Sequence, residues 1–271
     1  MGALNLTRRR LRSPMQPPKL PQLNMKGLRY EKRKTHVSSE EQTLPLKYLP
    51  LAWVAVLLTG LTKAIVAMKV NLHGLAKLLN LTSAWSLSLI IYSTYQLVVV
   101  LLLVYLLKRI GITMRNIGFK RTSKKYYAFA LILVLTSPLI WAFCDFVVSQ
   151  LGLSMWWSKE IPLAIKTPSD FVVLFTCPVI LCATLEEVLY RGYILTAIMQ
   201  RVSVKKAFIV NSLIFASIHY AFGPGTMLFI LIWTFIPCWL YFKSRSIYPS
   251  ILFHSVNNLL AYVVLPLTFQ T

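Results

Sequence analysis

Acidic side chains are scarce in this chain. Eight Asp and Glu stand against 29 Lys and Arg, and histidine occurs four times in 271 residues. The formal charge of +21 raises nucleic acid as a partner, but no RNA- or DNA-binding module is recognisable. The basic residues gather instead in an N-terminal arm and in alternate loops between apolar runs. That is the positive-inside pattern, with anionic lipid as the nearest electrostatic partner. Cysteine is sparse too: Cys144, Cys177, Cys182 and Cys238 fall in apolar segments and form no CxxC pair, so they read as buried free thiols. The HExxH spacing of zincins is missing. No internal repeat is evident, which leaves an inverted-repeat transporter without support. The first residues lack the apolar stretch of a signal peptide, and Leu6 breaks the myristoylation pattern.

What the chain has in plenty is apolar sequence. Apolar residues make up 56% of it, and mean hydropathy is +0.62, more than a soluble domain of this length carries in long runs. Residues 1–47 stand apart, with eleven Lys and Arg against three Glu and five prolines; this reads as a disordered basic arm held near lipid headgroups. Seven apolar segments follow, at about 48–69, 84–107, 126–149, 171–190 (continuing as helix to about 200), 206–222, 226–242 and 247–266, each near the ~20 residues needed to span. Loop 108–125 carries seven basic residues, and Arg191, Arg201, Lys205, Lys243 and Arg245 continue the same side. The opposite side holds Lys69, Lys77, Lys159 and Lys166. The expected fold is therefore all-α: a polytopic transmembrane helical bundle of about seven spans with a cytoplasmic N-terminus. With no clear sorting signal, a bacterial plasma (inner) membrane is the expected location.

Three polar clusters interrupt the last segments: Glu186-Glu187-Val188-Leu189-Tyr190-Arg191, Phe215-Ala216-Ser217-Ile218-His219, and His254-Ser255-Val256-Asn257-Asn258. They hold two of the eight acids and two of the four histidines. Ionisable groups in a bilayer are costly and mark function by default. Glu187 and Arg191 are four apart, share a helix face and can pair, which leaves Glu186, about 100° around, for chemistry. His254 and Asn258 also share a face, whereas Asn257 points elsewhere and suits a packing hydrogen bond. Hydrolysis needs a base for water and donors for an oxyanion. On this reading Glu186 and His219 act on water, and His254 and Asn258 hold the carbonyl oxygen. Zinc is the alternative use of the same side chains; Cys182, one turn before Glu186, completes no ligand pattern. Of the remaining intramembrane polar groups, Lys63 is expected to snorkel. Asp145 is open to three uses: pairing with a base, capping a partner or lining the cavity.

Taken together, the clusters resemble the CAAX-protease and bacteriocin-processing (CPBP, Abi) family of intramembrane proteases, which is marked by EExxxR, then FxxxH, then HxxxN on successive core helices. The resemblance covers roughly residues 170–266, leaving 48–169 as accessory helices. It implies a helical membrane bundle with a cavity open toward the cytoplasm. It implies the roles above for Glu186, His219, His254 and Asn258, with Glu187 and Arg191 in support. It also implies a membrane-associated peptide or protein substrate, which for type II CAAX prenyl endopeptidases is prenylated. The family has carried a metalloprotease label; the expectation here is no cofactor. Bacterial relatives include immunity proteins, so a non-catalytic binder or scaffold on the same fold is the competing reading.

Overall fold

The apolar runs fold as helices packed around one of their number. A computed structural model describes residues 43–69, 72–153, 155 and 165–268, all within the unit Glu41–Thr271. The basic arm up to residue 42, and Lys159, lie outside the described residues. In chain order the helices are α1 (Leu51–Lys69), α2 (Leu72–Leu78), α3 (Ala84–Arg109), α4 (Lys124–Gln150), α5 (Pro168–Met199), α6 (Val204–Ser217), α7 (Tyr220–Ser244) and α8 (Tyr248–Thr268). No strand occurs among the described residues.

Among the described residues, five helices, α3, α4, α5, α7 and α8, are long and apolar enough to cross a membrane. The other two segments expected to span are helical but shorter. α1 has 19 residues, and α6 has 14, a rise of about 21 Å against ~30 Å of hydrocarbon. α6 stops at Ser217 rather than near residue 222: a 3-10 turn, Tyr220–Phe222, opens α7 and leads into its α-helical part at Gly223, at φ +79°, and Pro224. Two long helices are interrupted, α4 at Leu135 and α7 at Thr234. Each break lies three residues before a proline, Pro138 and Pro237, whose missing N–H leaves a carbonyl of the preceding turn without its partner.

α5 is the central helix: 61% of its spanning window is buried, against 22% for α4. It touches α3, α6, α7 and α8. Gly192 lets the Met114–Ile117 turn press against it, since a Cβ there would lie 2.8 Å from the Ile117 carbonyl oxygen. Polar side chains tie the helices across the apolar core. Trp53 Nε1 donates to Ser217 Oγ at 2.8 Å, Asn211 Nδ2 to the Tyr190 carbonyl at 2.8 Å, and Trp233 Nε1 to Ser137 Oγ at 3.1 Å, the small-polar joints expected where lipid supplies no hydrophobic drive. Residues just before α1 belong to this body. Leu44 is fully buried, its N–H donates to Gln200 Oε1, Arg201 donates to its carbonyl, and Tyr193 donates to the Pro45 carbonyl.

Lys63 and the four cysteines have defined places. The Lys63 ammonium sits 5.4 Å from the Trp85 ring centroid, a cation–π contact. All four thiols are free and buried, as their apolar surroundings suggested. Asp145 is exposed on α4 and makes no hydrogen bond or ion pair among the described residues.

One acid is wholly structural. Thr167 caps α5, Pro168 fills its first position, and Asp170 completes the capping box. Asp170 is fully buried and accepts from Thr82 N (2.9 Å), Thr82 Oγ1 (2.5 Å), Lys166 N (3.2 Å) and Thr167 N (3.1 Å). It therefore staples the turn before α3 to the start of α5. Asp170→Ala is expected to lower stability by about 2–4 kcal/mol, since it orphans buried donors. The thermal midpoint of the purified protein in detergent measures this, and an unchanged midpoint would remove the staple.

Candidate active site

An arginine cannot shed its proton inside a membrane, so Arg191 is the natural starting point. It lies on α5 with no exposed surface, and its Nη1 is 2.9 Å from Glu187 Oε1, four residues back and equally buried. This is the pairing anticipated from the spacing. The two are held by charge rather than by an aligned hydrogen bond, because among the described residues no Arg191 nitrogen finds a partner in hydrogen-bond geometry. The flat face of the guanidinium rests on Phe215 of α6, 4.5 Å from the ring centroid.

The same Glu187 oxygen reaches a second cation-capable group. His254 Nδ1, from α8, lies 2.8 Å from Glu187 Oε1. A carboxylate paired with Arg191 can only accept, so Nδ1 carries the proton and donates. The far nitrogen of the ring, Nε2, then faces Glu186 Oε2 at 3.7 Å, too long for a direct hydrogen bond. The other Glu186 oxygen, Oε1, accepts from the Tyr92 hydroxyl of α3 at 2.7 Å. Glu186 and His254 are each 5% exposed. Trp233 of α7 stands edge-on to the His254 ring at 5.0 Å and closes that side.

His219 and Asn258 stand at the edge of this group. His219 Nδ1 lies 2.9 Å from the Phe215 carbonyl oxygen. A carbonyl only accepts, so Nδ1 donates and Nε2 is left with its lone pair. Glu186 takes its partners from Tyr92 and His254, and His219 joins the group through Phe215. The Phe215 ring is 4.9 Å from the His219 ring and 6.2 Å from the His254 ring, edge-on to both. Asn258 is half-buried and gives one Nδ2 proton to the Pro178 carbonyl at 2.9 Å. Asn257, expected to pack between helices, sits 3.5 Å from Asn258 Oδ1. Asp145, on α4, has none of these residues as a partner.

Tyr92 is the residue that reading the sequence missed. Its signal was there: Tyr92-Ser93-Thr94-Tyr95-Gln96 is a polar run in the middle of an otherwise apolar segment. Cys182 also has a partner, Ser93 Oγ, at 3.2 Å. As for zinc, no group of three or more His, Cys, Asp or Glu side chains is gathered to hold a metal ion among the described residues. Both imidazole Nδ1 atoms and Glu187 Oε1 are already engaged by protein. That leaves the two Nε2 atoms and Glu186 Oε2 as the donors that zinc, the alternative use of these side chains, would take.

Comparison with known proteins agrees with the motifs. Residues 168–260 match the Rce1-like family model, described as type II CAAX prenyl endopeptidase Rce1-like. That window contains every residue of the three clusters. The UPF0177 protein YxdF of Lactococcus lactis subsp. lactis is 38% identical over 74 residues, 27% of this chain. The chain spans 40% of the length of that curated relative. No solved structure matches the chain. With five membrane-length helices and this family match, the protein is an integral membrane protein.

The Glu187–Arg191 pair generates a stability test. Glu187→Leu leaves a buried guanidinium without its anion and is expected to cost about 3–5 kcal/mol. The double variant Glu187→Leu/Arg191→Met removes both charges and is expected to recover most of that loss. Thermal midpoints of the three proteins in one detergent decide it; additive losses would mean the pair is not coupled.

Proposed function

We propose that this protein is an intramembrane endopeptidase that cleaves a peptide bond in a membrane-associated substrate. Glu186 and His219 activate the water, and His254 and Asn258 hold the oxyanion. The observation that supports it most is the Glu186 carboxylate: 5% exposed, anchored through one oxygen by Tyr92, with its other oxygen turned toward His254. A purely structural acid would have both oxygens bonded, as Asp170 does.

The chemistry runs through this chain's own groups. Glu186 Oε2 takes a proton from water, which the His219 Nε2 lone pair orients, and the oxygen attacks the scissile carbonyl carbon. Negative charge passes to the carbonyl oxygen. Asn258 has a second Nδ2 proton beyond the one given to Pro178, and it donates there. When both His254 nitrogens carry protons, Nε2–H is the second donor. In that state Glu186, Glu187, Arg191 and His254 sum to zero charge, which suits burial. The carbon–nitrogen bond then breaks as the proton on Glu186 passes to the departing amine. No metal takes part in this scheme.

The matched family's description, a type II CAAX prenyl endopeptidase, supports a prenylated, CAAX-type substrate. The basic loops lie on the cytoplasmic side, in a bacterial plasma membrane. The test is the full chain in proteoliposomes with a fluorogenic peptide carrying a prenylated cysteine. Glu186→Gln is expected to lower kcat by about 10²–10⁴-fold, and Asn258→Ala by about 10²–10³-fold. Full turnover by Glu186→Gln would overturn the assignment. Equal binding of peptide by both forms with no cleavage by either would favour a non-catalytic binder.

A further inference from the structure

The residue nearest to Glu186 Oε1 comes from a helix outside the family match. α3 precedes the matched window 168–260, yet it supplies the hydroxyl that lies 2.7 Å from that oxygen. A phenol has one proton, and a carboxylate accepts it. Its placement is fixed by its neighbours. Ser93 Oγ meets Cys182 Sγ at 3.2 Å, so adjacent α3 residues grip α5 at positions 182 and 186, one turn apart. Tyr95, one turn nearly on from Tyr92, joins Thr62 of α1 through their hydroxyls at 2.7 Å. α3 is thereby held from both sides, and the Tyr92 ring has little freedom to leave.

We propose that Tyr92 is a positioning residue for Glu186, deciding which of its two oxygens exchanges protons. A carboxylate turns about its terminal bond between two nearly equivalent arrangements. The Tyr92 hydroxyl occupies Oε1 and so breaks that equivalence. Oε2 is left for the water, on the side where His254 Nε2 stands 3.7 Å away. Tyr92 touches no reacting atom; it acts through Glu186. The fold gives it a second consequence: the hydrolytic residues of α5 and α8 are complete only when α3 is docked.

The inference rests on the hydrolytic reading of Glu186, and the experiment separates the two. Wild type, Tyr92→Phe, Tyr95→Phe and Glu186→Gln are compared in proteoliposomes on the prenylated peptide. Tyr92→Phe keeps the ring and removes the donor. It is expected to lower kcat about 10- to 100-fold, the range for one hydrogen bond to a charged group, with KM within about twofold. Tyr95→Phe loses a hydrogen bond on the same helix and is expected to keep kcat within about twofold, which separates positioning of Glu186 from general loosening of α3. Thermal midpoints check that each protein is folded; Tyr92→Leu, which has no donor and is smaller, gives the same comparison should Tyr92→Phe fail to fold. An inert Glu186→Gln beside a Tyr92→Phe with wild-type kcat overturns the role of Tyr92 alone. An equal fall in kcat for Tyr92→Phe and Tyr95→Phe also overturns it. A fully active Glu186→Gln overturns the hydrolytic reading beneath both.

Discussion

A guanidinium with no exposed surface and no means of losing its charge governs this site. Bringing Arg191 into the bundle requires an anion beside it, because an unpaired buried charge costs several kcal/mol. Glu187, one turn back on the same helix, supplies that anion. The shared oxygen then draws in His254 from α8, and the far side of that imidazole faces Glu186. Glu186 in turn accepts from Tyr92 on α3. The order Arg191, Glu187, His254, Glu186, Tyr92 is a chain of consequences across three helices. Arg191 sets the charge at one end, and Tyr92, held on α3, orients Glu186 at the other.

Phe215 gives the chain its apolar wall. Its ring carries the Arg191 guanidinium at 4.5 Å and packs on Tyr190 at 4.7 Å, His219 at 4.9 Å and His254 at 6.2 Å. Such a wall lowers the local dielectric and strengthens the charge interactions beside it. It also gives an aromatic residue one turn before His219 a physical purpose. Its face meets a cation whose nitrogens are not hydrogen-bonded among the described residues, and its ring stands edge-on to the two imidazoles. A smaller aliphatic side chain would fill space but offer no quadrupole to the guanidinium.

Much of this was legible in the residues. Hydropathy marked the helices, and a spacing of four identified the Glu187–Arg191 pair, because one turn of helix is local geometry. What depended on two helices meeting was harder to see. That the imidazole 3.7 Å from Glu186 belongs to His254 of α8 could not be read from spacing along one helix. The Gly223-Pro224-Gly225 turn was visible in the residues, but the 3-10 turn at Tyr220–Phe222 that ends α6 ahead of it was not. Tyr92 was passed over because a tyrosine in a span is usually a packing residue. Its meaning came from an acid 94 positions away.

The position of Asn258 depends on a feature that hydropathy cannot encode at all. Pro178 sits inside α5 without an N–H, within a stretch, Phe175–Cys182, that is wound as π-helix. There the Ala183 N–H reaches back to the Pro178 carbonyl, five residues away instead of four. That carbonyl has a second lone pair, and Asn258 Nδ2 takes it at 2.9 Å. Irregular backbone persists at membrane depth only where protein completes its hydrogen bonds. The wide turn and the carboxamide are thus mutually dependent: Asn258 completes the Pro178 carbonyl, and that carbonyl orients the amide whose other proton remains for a ligand. A regular helix through residue 178 would remove that anchor while leaving every side chain of the three motifs in place.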